Sequence, residues 1–248
     1  MLTNDIRKDV GNAVVGRARR FDTKGLEIVF DEGEFYLAGG ALVNDNPVDF
    51  DLFGVKERFD LEKIKLKLAR THFAILNESE NAITVLGNGG QKIQFCRHWK
   101  NSMHNLVDSF DFSHCQAAVR FSFYRTQAAY CVSEALVMDS FISAAACRDT
   151  AFVGSEYPIS SLMRAGKFYR SGMFADYLSY KICVIEILIA IVQRGLFDVE
   201  DAKRQLCSIS DGFGGNDRAE VLRQLIYKGV TPPKPKNEDK EDPDNFPF

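Results

Sequence analysis

Two aspartates stand two residues apart in Val48-Asp49-Phe50-Asp51-Leu52-Phe53, where apolar and acidic residues alternate. In a β-strand this period of two places both carboxylates on one face and the apolar side chains on the other. Gly39-Gly40 lies eight residues before this pair and permits a tight turn or a close backbone approach to a ligand. Paired carboxylates bind Mg²⁺, which orients a triphosphate, neutralises its charge and lowers the pKa of an attacking hydroxyl. The pattern predicts two-metal phosphoryl chemistry with Asp49 and Asp51 as catalytic metal ligands.

The same Asp-x-Asp sequence also fits a purely structural role on the wet face of an edge strand. The Gly-Gly turn favours the metal-binding interpretation, because its backbone N–H groups can approach a triphosphate with no side chain in the way. We therefore expect Gly39 and Gly40 to shape a nucleotide site.

The elements around these residues follow from hydrophobic periodicity. Apolar residues at helical spacing predict helices over residues 4–20 and 57–70, and then over 135–147, 159–169, 175–194, 199–209 and 218–227. Apolar, β-branched and aromatic runs predict strands over 26–30, 34–38, 48–53, 71–76, 82–86, 92–96, 119–123 and 128–132. Gly87-Asn88-Gly89-Gly90 predicts a hairpin turn between two of these strands.

This order of elements predicts an α+β fold: a mixed-sheet head over residues 1–133, followed by a helical domain over 134–230. The last segment, 231–248, holds five of the seven prolines together with five acidic residues and three lysines. This composition predicts a disordered acidic tail.

Composition excludes several classes of protein. A net charge of −3 and a pI near 5.9 argue against a nucleic-acid coat that works by bulk positive charge, although a local basic groove remains compatible with them. The longest apolar run, residues 182–192, is about half of what a bilayer requires and contains Glu186, so no membrane partner is expected. Six isolated cysteines without a signal peptide predict a cytoplasmic, reducing location.

The arrangement of Gly39-Gly40, eight residues and Asp49-Phe50-Asp51 resembles the signature of the nucleotidyltransferase superfamily, which has a polymerase-β-like fold. The nearest resemblance is to tRNA nucleotidyltransferases (CCA-adding enzymes) and bacterial poly(A) polymerases. Three further segments follow in the order found in those enzymes, namely 92–97, 110–118 and 161–174. The chain also resembles a group of phage-borne proteins with a Phe-Asp-Phe-x-x-Cys pattern.

The resemblance implies roles for residues outside the first motif. Arg97 would reach a triphosphate, although it could equally cap a sheet edge. Asp111 would contact the ribose, with a helix N-cap or a third metal ligand as alternatives. Arg164 and Lys167 would bind nucleotide, and a solvated basic stripe that also includes Arg170 is the alternative.

The chain departs from the pattern of the tRNA enzymes at several positions. Phe110 stands where they carry an arginine, Cys115 where they carry an asparagine, and Ser161 where they carry the first arginine of the base-reading helix. The acidic residue that accompanies that arginine has no clear counterpart, Glu156 being the nearest. Gln94 occupies the strand position where a third carboxylate could lie. Ordered CCA addition is therefore not expected.

The predicted function is transfer of a nucleoside monophosphate from an NTP to an acceptor hydroxyl, with Mg²⁺ as cofactor. The expected acceptor is an RNA or tRNA 3′ end. Two alternatives stay open: nucleotidylation of a protein or small molecule, and a non-catalytic module that binds nucleotide or a partner. The tail, which ends in Asn245-Phe246-Pro247-Phe248, could dock on a protein partner or act only as a solubilising segment.

Overall fold

The computed structural model describes residues 3–45, 47 and 49–193. Its helices are α1 (Asn4–Ala18), α2 (Leu26–Phe30), α3 (Leu61–Leu68), α4 (Met103–Asp108), α5 (Asp139–Cys147), α6 (Pro158–Arg170) and α7 (Tyr177–Gln193). Its strands are β1 (Glu34–Ala38), β2 (Asp49–Gly54), β3 (Ala74–Glu78), β4 (Ala82–Leu86), β5 (Lys92–Cys96), β6 (Ala117–Tyr124) and β7 (Ala129–Val137).

The strands form one seven-stranded sheet in the order β3-β4-β5-β2-β1-β6-β7. The β2–β5 pair is parallel and every other pair is antiparallel, so the sheet is mixed. β2 is an interior strand, bonded to β5 on one side and to β1 on the other. The predicted α+β class, with a mixed sheet and helices after it, is confirmed.

Helices α1, α2, α3 and α5 cover one face of the sheet and enclose the main core. Thr3 begins α1 by accepting a hydrogen bond from the backbone N–H of Ile6, and Asp60 begins α3 by accepting one from Lys63. The core between helices and sheet is rich in stacked phenylalanines, such as Phe35 against Phe121 at a centroid distance of 5.0 Å. This dense apolar layer fixes the register of the central strands.

The other face of the sheet is only partly covered. A smaller cluster around Tyr36, Phe53 and Leu106 packs α4 against the sheet. A third cluster around Phe112 and Ile187 joins the chain before β6 to α6 and α7. Arg164 and Lys167 of α6 act on the charge of Asp51, so α6 lies on the side of the sheet that carries the two aspartates.

Two predicted elements are wrong. Residues 26–30 form the helix α2 instead of a strand: Gly25 and Asp31 are left-handed at its two ends, and Leu26 and Val29, three residues apart, are buried together. A five-residue apolar run fits both the helical and the strand period. The turns on either side of this run determine that it forms a helix. Residues 135–137 end β7 instead of beginning a helix, because they pair with β6 as far as Val137.

The remaining predicted strands, the turn over 87–90 and the helices up to Gln193 are confirmed, with shifts of a few residues at their ends. Val48, the predicted helices over 199–209 and 218–227 and the acidic tail over 231–248 lie outside the described residues. The division into a head over 1–133 and a helical domain over 134–230 stays a prediction. In the part of the chain that the structure describes, every helix is too short or too polar to cross a bilayer.

Candidate active site

Both aspartates lie on β2, inside the sheet. Asp51 is level with Ala38 of β1 on one side and with Gln94 of β5 on the other. Phe50 and Leu52 are buried in the main core on the opposite face, so the carboxylates share one face, as the alternation predicts. Because β2 is paired on both sides, the interpretation of this pair as the wet face of an edge strand is wrong.

The Gly-Gly turn lies against Asp51. Gly39 has a φ of +80°, in the left-handed region that favours glycine, and it begins a 3₁₀ turn that ends at Leu42. A Cβ atom on Gly39 would lie 3.6 Å from Oδ2 of Asp51, whereas one on Gly40 would meet no atom within 4 Å. The turn thus presents bare backbone beside the carboxylate, with open space next to it.

Asp51 lies in an environment that disfavours its charge. Its Oδ1 atom is buried and has no hydrogen-bond partner among the described residues. Burial and the neighbouring carboxylate of Asp49 raise the pKa of Asp51 to about 7, against the opposing effect of Lys167 and Arg164. The carboxylate pair lacks sufficient positive charge, and a bound cation would supply it.

Helix α6 brings Lys167 to this face of the sheet. The charge of Lys167 favours ionisation of Asp51, and it contributes to the lowered pKa of the His114 imidazole. No ion pair of the described residues includes Lys167. Its ammonium group is thus available to an anionic ligand next to the two carboxylates.

Asp111 and Arg164, both predicted to contact nucleotide, bind each other. Nη2 of Arg164 lies 2.6 Å from Oδ2 of Asp111, which is 4% exposed. Burial raises the pKa of the Asp111 carboxyl, and Arg164 together with a hydrogen bond from Ser161 opposes that rise. Ser161 thus supports the acidic side chain at the helix position where the tRNA enzymes carry an arginine.

Two alternative roles for Asp111 are a helix N-cap and a third metal ligand. The N-cap alternative is wrong, since the 3₁₀ turn over Ser113–Cys115 has Phe112 as its cap residue. Among the residues that the structure describes, no three His, Cys, Asp or Glu side chains come together as a metal site. Gln94, an amide, faces Asp51 across the β2–β5 pair. Among the described residues, Asp111 thus does not complete a three-carboxylate metal site with Asp49 and Asp51.

The structure separates the other predicted residues from this group. Arg97 follows the carboxyl end of β5 and donates its backbone N–H to Asn81 at 2.7 Å, whereas Asp49 and Asp51 are level with earlier residues of β5. Arg170 is exposed at the end of α6. The geometry thus brings together Gly39, Gly40, Asp49, Asp51, Asp111, Arg164 and Lys167, and the role of Arg97 stays a prediction.

A buried polar network beside Lys167 is not evident from the sequence. Nδ1 of His114 lies 2.6 Å from Oγ1 of Thr150, which also contacts Oγ of Ser113 at 3.2 Å. The ring of Phe168 packs edge-on against His114 at 4.3 Å. Burial, followed by the charge of Lys167, lowers the pKa of His114 to about 4. Nothing in the local sequence pairs His114 with a threonine 36 residues away.

Mg²⁺, which the resemblance implies, fits the donors present at this site. The available ligands are carboxylate oxygens, and Mg²⁺ is usually held by only one or two protein carboxylates together with substrate phosphates and water. The unpartnered Oδ1 of Asp51 offers one ligand atom. Oδ2 of Asp51 is also accessible, because Gly39 beside it has no Cβ. Asp49 and Asp51 are the residues that would hold the ion.

The carboxylate pair thus lies on a mixed sheet beside a Gly-Gly turn, and a helix after the sheet brings basic residues to the same face. The model of the Gabija anti-defense 2 family matches residues 12–140, more than half of the chain. The chain belongs to the Gabija anti-defense 2 family. No match is found among curated proteins.

Three solved structures that are similar to the chain have low sequence identity and TM-scores below 0.5. A CCA-adding enzyme in complex with CTP is 12% identical, with a TM-score of 0.47 over 85% of this chain and 52% of its own. The Thermotoga maritima CCA-adding enzyme in complex with tRNA is 12% identical, with a TM-score of 0.45 over 85% and 53%. A tRNA-processing enzyme in an apo form is 15% identical, with a TM-score of 0.42 over 87% and 65%. The chain spans about half the length of the first two enzymes.

Proposed function

We propose that this protein is a Mg²⁺-dependent nucleotidyltransferase, which transfers a nucleoside monophosphate from an NTP to an acceptor hydroxyl. The observation that carries the proposal is the position of Asp51. Asp51 has a buried, unpartnered oxygen and is within electrostatic reach of a second carboxylate, Asp49, and of the ammonium group of Lys167. One charge can bind a cation and the other an anion. An NTP with Mg²⁺ supplies both.

Each residue of the site has a distinct task in this reaction. Asp49 and Asp51 hold the metal, which when bound neutralises the triphosphate and lowers the pKa of the attacking hydroxyl. Lys167 binds phosphate oxygens and keeps the α-phosphate in line with the acceptor. Gly39 and Gly40 allow the backbone to approach the triphosphate without steric conflict.

The residues of helix α6 at the site favour weak discrimination among the bases of the NTP. Arg164 is bound to Asp111, and Ser161 takes the place of an arginine that would read the base in the enzymes with similar motifs. A side chain already engaged in a buried ion pair offers fewer donors to a base edge. We propose that several NTPs serve as substrates.

Two molecules are candidates for the acceptor of the nucleotide, and a different observation supports each of them. An RNA 3′ end follows from the resemblance to tRNA enzymes. The family name favours instead a hydroxyl on a component of the Gabija defence, whose nucleotidylation would inactivate it. This second acceptor also agrees with a phage-borne origin and with the missing base-reading arginine. We propose a Gabija component as the acceptor and keep the RNA end as the comparison.

The test is a labelling experiment with each α-³²P-NTP, Mg²⁺, and extracts from cells with and without the Gabija system. A labelled band that requires both the protein and the Gabija system is expected. Asp49→Asn and Asp51→Asn should each remove the label, whereas Arg170→Ala, on the exposed end of the same helix α6, should retain it. Label that persists in both aspartate variants would contradict the proposed chemistry, and label found only in RNA would select the other acceptor.

The non-catalytic alternative is separated from this proposal by a binding measurement. A module that only binds would retain Mg²⁺-NTP in equilibrium dialysis and release no pyrophosphate. We expect both binding and pyrophosphate release, each lost when Lys167→Ala removes the ammonium group.

A further inference from the structure

Helix α7 exposes a long apolar stripe. Five of its aliphatic side chains are 49–63% exposed, namely Leu178, Ile182, Ile185, Ile189 and Val192. The opposite side of the helix is buried against the cluster around Phe112 and α6 through Cys183 and Ile187. A helix that is apolar on both sides is normally covered on both sides.

The spacing of the exposed residues has a regular form. The intervals along the chain are four, three, four and three residues, which is the heptad pattern of a coiled-coil seam. Such a seam accepts the side chains of one further helix as knobs into holes. The stripe is therefore shaped for a helix with the same period.

The sequence that follows α7 contains such a helix pattern. Val199, Ala202, Leu206 and Ile209 are spaced by three, four and three residues. Gly195 is typical of a helix end and Asp198 of a helix start, so the sequence predicts a short connection between two helices. Residues 194–198 would then be a connection of ordinary length for a helical hairpin.

We propose that the segment Val199–Ile209 packs antiparallel on the exposed stripe of α7 and closes the helical part of the protein as a hairpin. This arrangement places the two heptad patterns in register over four layers: Val192 with Val199, Ile189 with Ala202, Ile185 with Leu206 and Ile182 with Ile209. Because the helices run in opposite directions, each layer joins an a position of one helix to a d position of the other.

The flanking charges agree with this register. Glu186 and Lys203 occupy the e positions of the two patterns, between the same two layers, where opposite charges stabilise the pair. A covalently linked segment also has an effective concentration in the millimolar range, which a separate partner seldom reaches. These two points favour the chain's own segment over a second copy or another protein.

A charge exchange in the full-length protein tests the pairing. Glu186→Lys and Lys203→Glu should each lower the Tm by about 1–3 °C, and the double variant should recover the wild-type Tm as a monomer. Equal Tm values for all four proteins would overturn the proposal. Recovery only after the two single variants are mixed, with a dimeric mass by light scattering, would assign the stripe to a second copy and also overturn it.

A substitution within the seam provides a second, independent measurement. Ile189→Asp should lower the Tm by more than about 4 °C, because a charge would be buried between the helices. The matched control is Leu66→Asp on α3, where Leu66 is 72% exposed and lies outside the stripe. A Tm for Ile189→Asp that equals that of the control would show that the stripe is bare and would refute the proposal.

Discussion

Asp111 and Arg164 form an ion pair, with 2.6 Å between Oδ2 and Nη2, that joins the segment before β6 to helix α6. Lys167 lies one helical turn after Arg164 and therefore on nearly the same side of α6. The pair thus orients the helix so that Lys167 faces the carboxylate of Asp51. Two residues that the resemblance assigns to nucleotide binding have a structural task in the site.

Removal of Arg164 should destabilise the protein. Arg164→Ala leaves the buried Asp111 carboxylate without its cation. We expect a loss of about 2 kcal/mol in the free energy of unfolding. This loss is smaller than the usual value for a fully buried ion pair, because Arg164 is partly exposed. Urea denaturation measures the loss. Arg170→Ala, six residues later on the same helix, is the control and should change the free energy by less than about 0.5 kcal/mol. Equal values for the two variants would show that the ion pair contributes nothing to stability.

The sequence predicts those parts of the fold that depend on local periodicity. The alternation over 49–53 and the glycines at 39 and 40 are properties of short segments, so the strand, the turn and the shared face of the carboxylates follow from them directly. Helix α2 does not follow, since its five residues satisfy both periods and the left-handed residues at its ends are not evident from their types.

Contacts between distant segments escape this kind of prediction. The Asp111–Arg164 pair and the His114–Thr150 hydrogen bond join residues far apart along the chain, and no local pattern specifies either partner. The order of motifs places Asp111 and Arg164 in one site, but it assigns both to a ligand. Only the packing of α6 against the segment before β6 shows that they neutralise each other.

Gly39 and Gly40 should differ sharply when replaced by alanine. Gly39→Ala forces a side chain into a φ of +80° and adds a Cβ 3.6 Å from Oδ2 of Asp51, so we expect a loss of about 1–2 kcal/mol in stability and weaker Mg²⁺-NTP binding. Gly40→Ala meets no atom within 4 Å and should be nearly neutral for stability. Thermal unfolding and equilibrium dialysis measure the two effects. If Gly40→Ala alone weakens binding, the triphosphate approaches the second glycine instead of the first.

Asp51→Asn should stabilise the metal-free protein in a pH-dependent way. Burial and Asp49 raise the pKa of Asp51 from 3.8 to about 7 in the folded state, so the protonated carboxyl is favoured by folding. This contribution is complete below pH 4 and is lost as the pH rises through 7. The asparagine cannot ionise, and its advantage in Tm over the wild type should therefore grow between pH 4 and 7 and stay constant above. Calorimetry in EDTA measures this difference, and a constant difference across that range would contradict the raised pKa.

The His114 network predicts the opposite dependence on pH. Burial and the charge of Lys167 lower the pKa of His114 from 6.5 to about 4, so the neutral imidazole is favoured by folding. Its contribution is present above pH 6.5 and is lost as the pH falls toward 4, because the unfolded chain then binds a proton that the folded protein does not.

His114→Asn removes this linkage together with the packing against Phe168. The variant should have a lower Tm than the wild type at pH 7, and the gap should narrow at pH 5. His104→Asn, at an exposed position of α4, should follow the wild type at both values. A gap that is equal at pH 7 and pH 5 would mean that His114 acts only through packing and that its pKa is not lowered in the folded protein.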